Sequence, residues 1–225
     1  MNRILLPLIF GLAGAAVLVS LGVWQVQRLT WKQGILAQIE ARIDAAPVAI
    51  PDTPSPDDRF LAVQVTGTLV EPALRVLVST RDQGAGYRLI NAMETDGRRI
   101  MLDRGYIKND LPTPPAPQGE VTVTGNLHWP EERDSYTPEN DRAANIWFAR
   151  DLDAMAAALN TAPVLLVARD LPGDTGVTPL PVGTEGIPND HLGYAIQWFG
   201  LAAVWTAMLG LYIWRQRKPV KGTDL

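Results

Sequence analysis

The chain has 225 residues, of which 47% are apolar and 20% charged, and a formal net charge of −4. That balance excludes wholesale disorder, and without a basic stripe in the middle of the chain it argues against nucleic acid as a partner. Cysteine is absent and histidine occurs only at His128 and His191, which rules out disulfides, thiolate zinc, iron–sulfur clusters, a cysteine nucleophile and any site built from several imidazoles.

Ile4 to Val23 is apolar apart from Ser20, with Pro7 as its one proline. At ~1.5 Å rise per residue such a run covers the ~30 Å hydrocarbon core of a bilayer, so residues 1–24 read as a first transmembrane helix. Only Arg3 precedes the run, and Ala13-Gly14-Ala15 lies inside it instead of after it. Both features favour an uncleaved anchor over a signal peptide. Residues 25–58 read as a helical extension and a linker. Leu29, Ile35, Leu36, Ile39 and Ile43 keep a helical period, and four prolines between Pro47 and Asp58 end it.

From here the period switches to two. Phe60–Gly67 alternates and Arg75–Ser79 follows as a second strand. Tyr87–Thr95 and Arg98–Ile107 flank Asp96-Gly97, a strong hairpin signal. Residues 111–118 carry four prolines and read as a loop, after which Glu120–Leu127 alternates again. Asp151 stands as an N-cap before Leu152, Met155, Ala156 and Leu159, Pro163–Ala168 reads as a buried strand, and Asp170–Pro188 as a Gly/Pro-rich return. Residues 59–190 are thus expected to form an α+β domain dominated by an antiparallel β-sheet, open or partly closed.

Leu192 to Trp214 is a second apolar run, placing a second transmembrane helix at 191–214 and a basic tail at 215–225 with Arg215, Arg217, Lys218 and Lys221. Positive charge at that exit puts both termini in the cytoplasm and the middle outside. Between Gln25 and His191 there are 15 Arg plus Lys against 23 Asp plus Glu. This acidic, cysteine-free segment suits a bacterial periplasm, with the two spans in the inner membrane.

Hydrolytic chemistry finds little support. Ser79 or Ser135 would have to work with His128, and no GxSxG elbow exists. Gly84-Ala85-Gly86 lacks the third glycine of a dinucleotide loop, the acidic run Glu131, Glu132, Asp134 reads as a solvated loop, and Met93 with Met101 is too little for copper. The second span differs. His191, Tyr194, Ala195, Trp198, Ala202 and Trp205 share one helix face that reaches ~21 Å along the axis. An imidazole above flat aromatic walls suits a haem bound from the membrane, with His191 as axial iron ligand and Tyr194 and Trp198 beside the ring. The same residues also suit an interfacial histidine and ordinary helix packing. Gly11 and Ala15 in the first span, with Gly200 and Ala203 in the second, would let the helices approach closely.

Several blocks together resemble the Surfeit-locus family of cytochrome c oxidase assembly proteins. They are Leu21-Gly22-Val23-Trp24-Gln25 with Arg28 and Trp31-Lys32; Gly86-Tyr87, Asp96-Gly97 and Leu102-Asp103-Arg104-Gly105-Tyr106; Trp147-Phe148 with Asp151-Leu152; and His191-Leu192, Tyr194 and Trp198-Phe199-Gly200. Tyr106 stands where the family usually has Trp, and Asp103 where Asn is common. The resemblance implies a non-enzymatic assembly factor for a haem–copper terminal oxidase. Its cargo would be haem a, held at His191, and its partners the oxidase large subunit, the haem a synthase and membrane lipid. The alternative is a haem-independent scaffold that stabilises oxidase assembly intermediates, with Arg104 and the 111–118 loop as contact elements.

Overall fold

The computed structural model describes residues 2–217; Lys218, Lys221 and the rest of the expected tail lie outside the described residues. The chain divides into two compact units, one made by residues up to Gln38 together with those from Glu185 onward, the other by Ile39–Thr184.

The first unit is a pair of helices. Helix α1 (Asn2–Ile43) passes through Pro7 and runs on without interruption past the apolar segment. Helix α3 (His191–Arg217) ends on Arg215 and Arg217, where cations favour the carboxyl end of the helix dipole. Both are long and apolar enough to cross a membrane, and only 6% of the apolar window of each is buried. Leu6, Phe10, Ile196 and Met208 are more than half exposed, which separates these helices from the buried core helix of a globular domain.

The second unit is built on a sheet whose hydrogen-bond path returns to its starting strand. Its main strands are β2 (Ala62–Thr80), β3 (Gly84–Thr95), β4 (Arg98–Lys108), β5 (Glu120–His128) and β7 (Leu165–Asp170), with two-residue strands β1 (Val48–Ala49) and β6 (Ile146–Trp147). Strand β2 pairs with β3, β3 with β4, β4 with β7, β7 with β5, and β5 again with β2. A closed circuit leaves these five strands no free edge between them. The expectation of an antiparallel sheet holds for the long ladders only. β1 and β6 each pair parallel with β2, and β4 pairs parallel with β7, so the sheet is mixed.

The two strands expected at 60–67 and 75–79 are one. Residues 62–68 of β2 pair with β5 and 68–80 with β3, and the register shifts between Val70 and Leu74. Pro72 cannot donate to a ladder, so the strand bulges there instead of ending. The bulge is stitched from both sides. Asn91 Nδ2 donates to the Val70 carbonyl at 3.0 Å, and Glu71 Oε1 accepts from the Ala116 amide at 2.7 Å. The β3–β4 hairpin turns at Asp96 (φ 44°) and Gly97 (φ 71°), the paired left-handed conformation of a two-residue type I′ turn.

Inward and outward residues alternate, yet both sides are covered. Val65, Met93, Leu102, Val123 and Leu166 form a cluster drawing on all five strands of the circuit. Leu74, Ile90, Met101, Leu165 and Val167 form the opposite cluster, closed by Trp147 and by Met155 and Leu159 of helix α2 (Leu152–Leu159). β4 is therefore buried from Ile100 to Ile107 and β7 from Leu165 to Ala168, because neither face of these strands meets water. Helix α2 starts where expected, with Asp151 Oδ1 accepting from the Ala154 amide at 3.1 Å.

Candidate functional site

The two helices of the first unit meet along a seam of glycines. A Cβ on Gly11 would lie 2.4 Å from the Leu209 side chain, one on Gly14 2.9 Å from the Trp205 indole, and one on Gly22 2.7 Å from the Phe199 ring. From α3 the seam takes Ala195 and Ala202, both buried. The expected approach at Gly200 and Ala203 does not occur: a Cβ on Gly200 would meet open space and Ala203 is exposed. Trp205 Nε1 donates to the Gly11 carbonyl at 2.8 Å. In an apolar surround that bond answers an indole N–H that would otherwise be unsatisfied.

At the end of this seam His191 Nδ1 lies 2.8 Å from Gln25 Oε1, and Gln25 is buried. An amide oxygen only accepts, so Nδ1 is the donor, and in the neutral tautomer that makes this bond Nε2 is the nitrogen with the lone pair. Among the described residues nothing hydrogen-bonds Nε2. His191 is half-buried at the first residue of α3, Trp198 is half-buried on the same side of the helix, and Tyr194 is exposed. The structure thus places all three expected residues within two turns of one helix. Gln25, which composition and periodicity did not single out as a site residue, holds the imidazole. The available signal was position: Gln25 stands three helical turns beyond Gly14 on the seam side of α1, where an amide needs a partner.

One imidazole whose far nitrogen is engaged by an acceptor could hold a haem iron, since the acceptor orients the ring and raises the basicity of the ligating nitrogen. No group of three or more His, Cys, Asp or Glu that suits a free metal ion occurs among the described residues.

The β-unit carries a separate cleft of about 970 Å³. Arg59, Arg98, Arg133 and Arg150 line it together with Glu131, Glu132 and Asp151. Its arginines are engaged internally: Arg98 donates to the Pro51 and Asp52 carbonyls at 2.8 and 3.0 Å, Arg59 pairs with Glu131 at 2.8 Å, and Arg150 clasps Glu132. Burial pushes the Glu132 carboxyl up, but the hydrogen bonds and charge of Arg150 outweigh it and hold the group below the usual carboxylate range. His128, next in sequence to the lining residue Trp129, packs its ring against Phe60, and its Nδ1 is buried without a partner. Burial first, and then the nearby Arg150 and Arg59 charges, lower its pKa from 6.5 to about 4. No serine bonds this imidazole, so a Ser/His pair is absent among the described residues.

Arg104, expected as a surface contact, is 1% exposed. It grips Asp174 with two hydrogen bonds, of 2.8 and 2.6 Å, and donates to Asn91 Oδ1 and the carbonyls of Pro114 and Pro115. A guanidinium placed between a strand and two loops ties the 111–118 loop down and is not available to a partner. Tyr106 is likewise buried, its hydroxyl donating towards the Gln83 and Ala85 carbonyls at 2.9 and 3.1 Å.

Comparison with known proteins gives the family. The SURF1 family model matches residues 12–203, which takes in most of α1, the whole β-unit and the first half of α3. Surfeit locus protein 1 of Homo sapiens is 30% identical over 91% of this chain and 74% of its own length. The Rattus norvegicus protein is 30% identical over 91% of this chain and 72% of its own. A SURF1-like protein of Drosophila melanogaster is 29% identical over 82% and 70%. The chain belongs to the SURF1 family.

Proposed function

We propose that this protein is a membrane-bound assembly factor for a haem–copper terminal oxidase, that it binds haem a as cargo on its helix pair, and that it aids insertion of that haem into the oxidase large subunit. The observation that carries the reading is the His191–Gln25 bond, which fixes the tautomer and leaves Nε2 free for iron. Haem a supplies the iron that an imidazole can ligate and a flat macrocycle for apolar walls. His191 holds the iron, Gln25 orients His191, and Trp198 with Tyr194 flank the ring. The protein performs no covalent chemistry of its own, and the haem a synthase is the proposed donor.

In this reading α1 and α3 cross the bacterial inner membrane. The basic exit of α3, with Arg215 and Arg217, supports a cytoplasmic side for both termini and a periplasmic one for the β-unit. The test is a visible spectrum of the purified full chain from cells that make haem a, beside His191→Ala. A Soret band in the parent that is lost or shifted in the variant is the expected result. A parent without stoichiometric haem, or a variant with the parent's spectrum, overturns it in favour of a haem-independent scaffold.

A further inference from the structure

Beside His191 the helix pair carries cations that no carboxylate answers. Arg28 and Lys32 stand one turn apart on α1, past the apolar run that ends at Val23. Lys32 Nζ donates to the carbonyl of Pro188, three residues before His191, and Lys32 is half-buried. The Arg28 guanidinium lies over the Trp31 ring, 4.3 Å from its centroid. Among the described residues neither cation forms an ion pair, and the exposed Asp190 next to His191 pairs with neither. A carbonyl engages one N–H of the Lys32 ammonium and leaves its charge uncompensated.

Lys32 belongs to the His191 site by position. It stands seven residues beyond Gln25, which returns it to the same side of α1 about 10 Å further along the axis. Gln25 engages the imidazole and Lys32 engages the segment that leads into it. Polarity changes across the imidazole. Tyr194 and Trp198 follow it into the apolar run of α3, whereas Arg28 and Lys32 stand past the apolar run of α1. A haem is itself an amphiphile, with two propionates on one edge of a largely apolar ring. Ligated at Nε2, it sets its ring beside the aromatic residues and its carboxylates towards the cations in one orientation only.

We infer that Lys32 binds a propionate carboxylate of the macrocycle held at His191, so that the ring is bound with its propionate edge turned out of the apolar span. The inference rests on the haem reading of His191 and assigns that site a second binding residue, one that recognises charge instead of iron. Two N–H groups of the ammonium remain for the carboxylate while the Pro188 bond persists. A charge-assisted bond at a half-buried position is worth about tenfold in affinity.

The experiment uses the full chain in lipid nanodiscs, titrated by Soret absorbance with haem a and with haem a esterified at both propionates. The parent is set beside Lys32→Gln, which keeps an N–H donor for Pro188 but loses the charge, and beside Lys32→Arg, which keeps both. The expected result is that Lys32→Gln binds haem a about tenfold more weakly and the ester as the parent does, while Lys32→Arg recovers most of the haem a affinity. Unchanged haem a affinity in Lys32→Gln overturns the inference. An equal loss for haem a and the ester overturns it as well, and leaves Lys32 with the stapling of the α3 start alone. In both cases His191 ligation stands. A parent that binds neither form removes the haem reading itself, and the role of Lys32 with it.

Discussion

Arg104 and Asp174 meet in a two-pronged ion pair, with Nε to Oδ2 at 2.8 Å and Nη2 to Oδ1 at 2.6 Å, and their side chains are 0% and 4% exposed. Removing one member strands the other charge out of water. Arg104→Ala is expected to destabilise the protein by about 3–5 kcal/mol, and Arg104→Lys by less because a single ammonium cannot grip both oxygens. Arg133→Ala breaks a pair with Glu139, whose side chain is 90% exposed, and is expected to cost under about 1 kcal/mol. Thermal melting of the three variants checks the ordering.

His128 makes the β-unit sensitive to mild acid. Its pKa is 6.5 when free and about 4 in the fold, so between these values the unfolded chain binds the extra proton. Stability from this group is complete above about pH 6.5 and is lost as pH falls towards 4. Discounting for partial solvent screening, the loss from pH 7 to pH 5 is about 1–2 kcal/mol. Chemical denaturation at the two pH values should show that drop in the parent, and His128→Asn should flatten it.

Glu132 acts in the same direction over a lower window. Its carboxyl lies below the ordinary range because Arg150 outweighs burial, so its contribution is present above the free carboxylate pKa and disappears as pH falls through the depressed value. Glu132→Gln should therefore lower stability at neutral pH and reduce the acid sensitivity that remains in the His128→Asn background. Denaturation midpoints from pH 7 down to pH 3 measure both.

Gln25→Leu keeps the bulk of a buried side chain but removes the acceptor from His191 Nδ1. On the proposed haem reading, loss of the contact that orients the imidazole should weaken haem binding about 10–100-fold while the helix content is unchanged. Soret titration beside far-ultraviolet circular dichroism separates this outcome from misfolding. Gln25→Glu, which retains an acceptor, should recover most of the affinity.

Gly125 tests the closure of the circuit. A Cβ there would lie 2.2 Å from the Val167 carbonyl oxygen, across the β5–β7 ladder. Gly125→Ala must push two strands apart and should destabilise by about 2 kcal/mol or more. A Cβ on Gly34 meets nothing within 4 Å on α1, so Gly34→Ala should be neutral or stabilising by up to about 1 kcal/mol. Melting temperatures of the pair are the readout.

Local chemistry announces several of these elements. The apolar lengths of the two helices, the Asp96-Gly97 turn and the Asp151 cap are all legible from sequence, because each depends on residues within a few positions of one another. The placement of His191, Tyr194 and Trp198 on one side of a helix follows in the same way from its 3.6-residue period. Arg104 shows the opposite case. An arginine in a strand ordinarily signals a solvated surface, and only Asp174, seventy residues away, makes its burial affordable.

Closure of the sheet, the parallel insertion of β7 between β4 and β5, and the passage of β2 through its Pro72 bulge depend on pairings between distant strands. No local period encodes a partner. The same holds for the site: the sequence carries a lone histidine at the head of one helix and, 166 positions away, one of several glutamines on another. Helix period and hydropathy determine where each stands on its own element. That their side chains meet, leaving Nε2 as the free nitrogen, is decided by the glycine seam, since Gly11, Gly14 and Gly22 bring the helix backbones close enough for an amide oxygen to reach an imidazole.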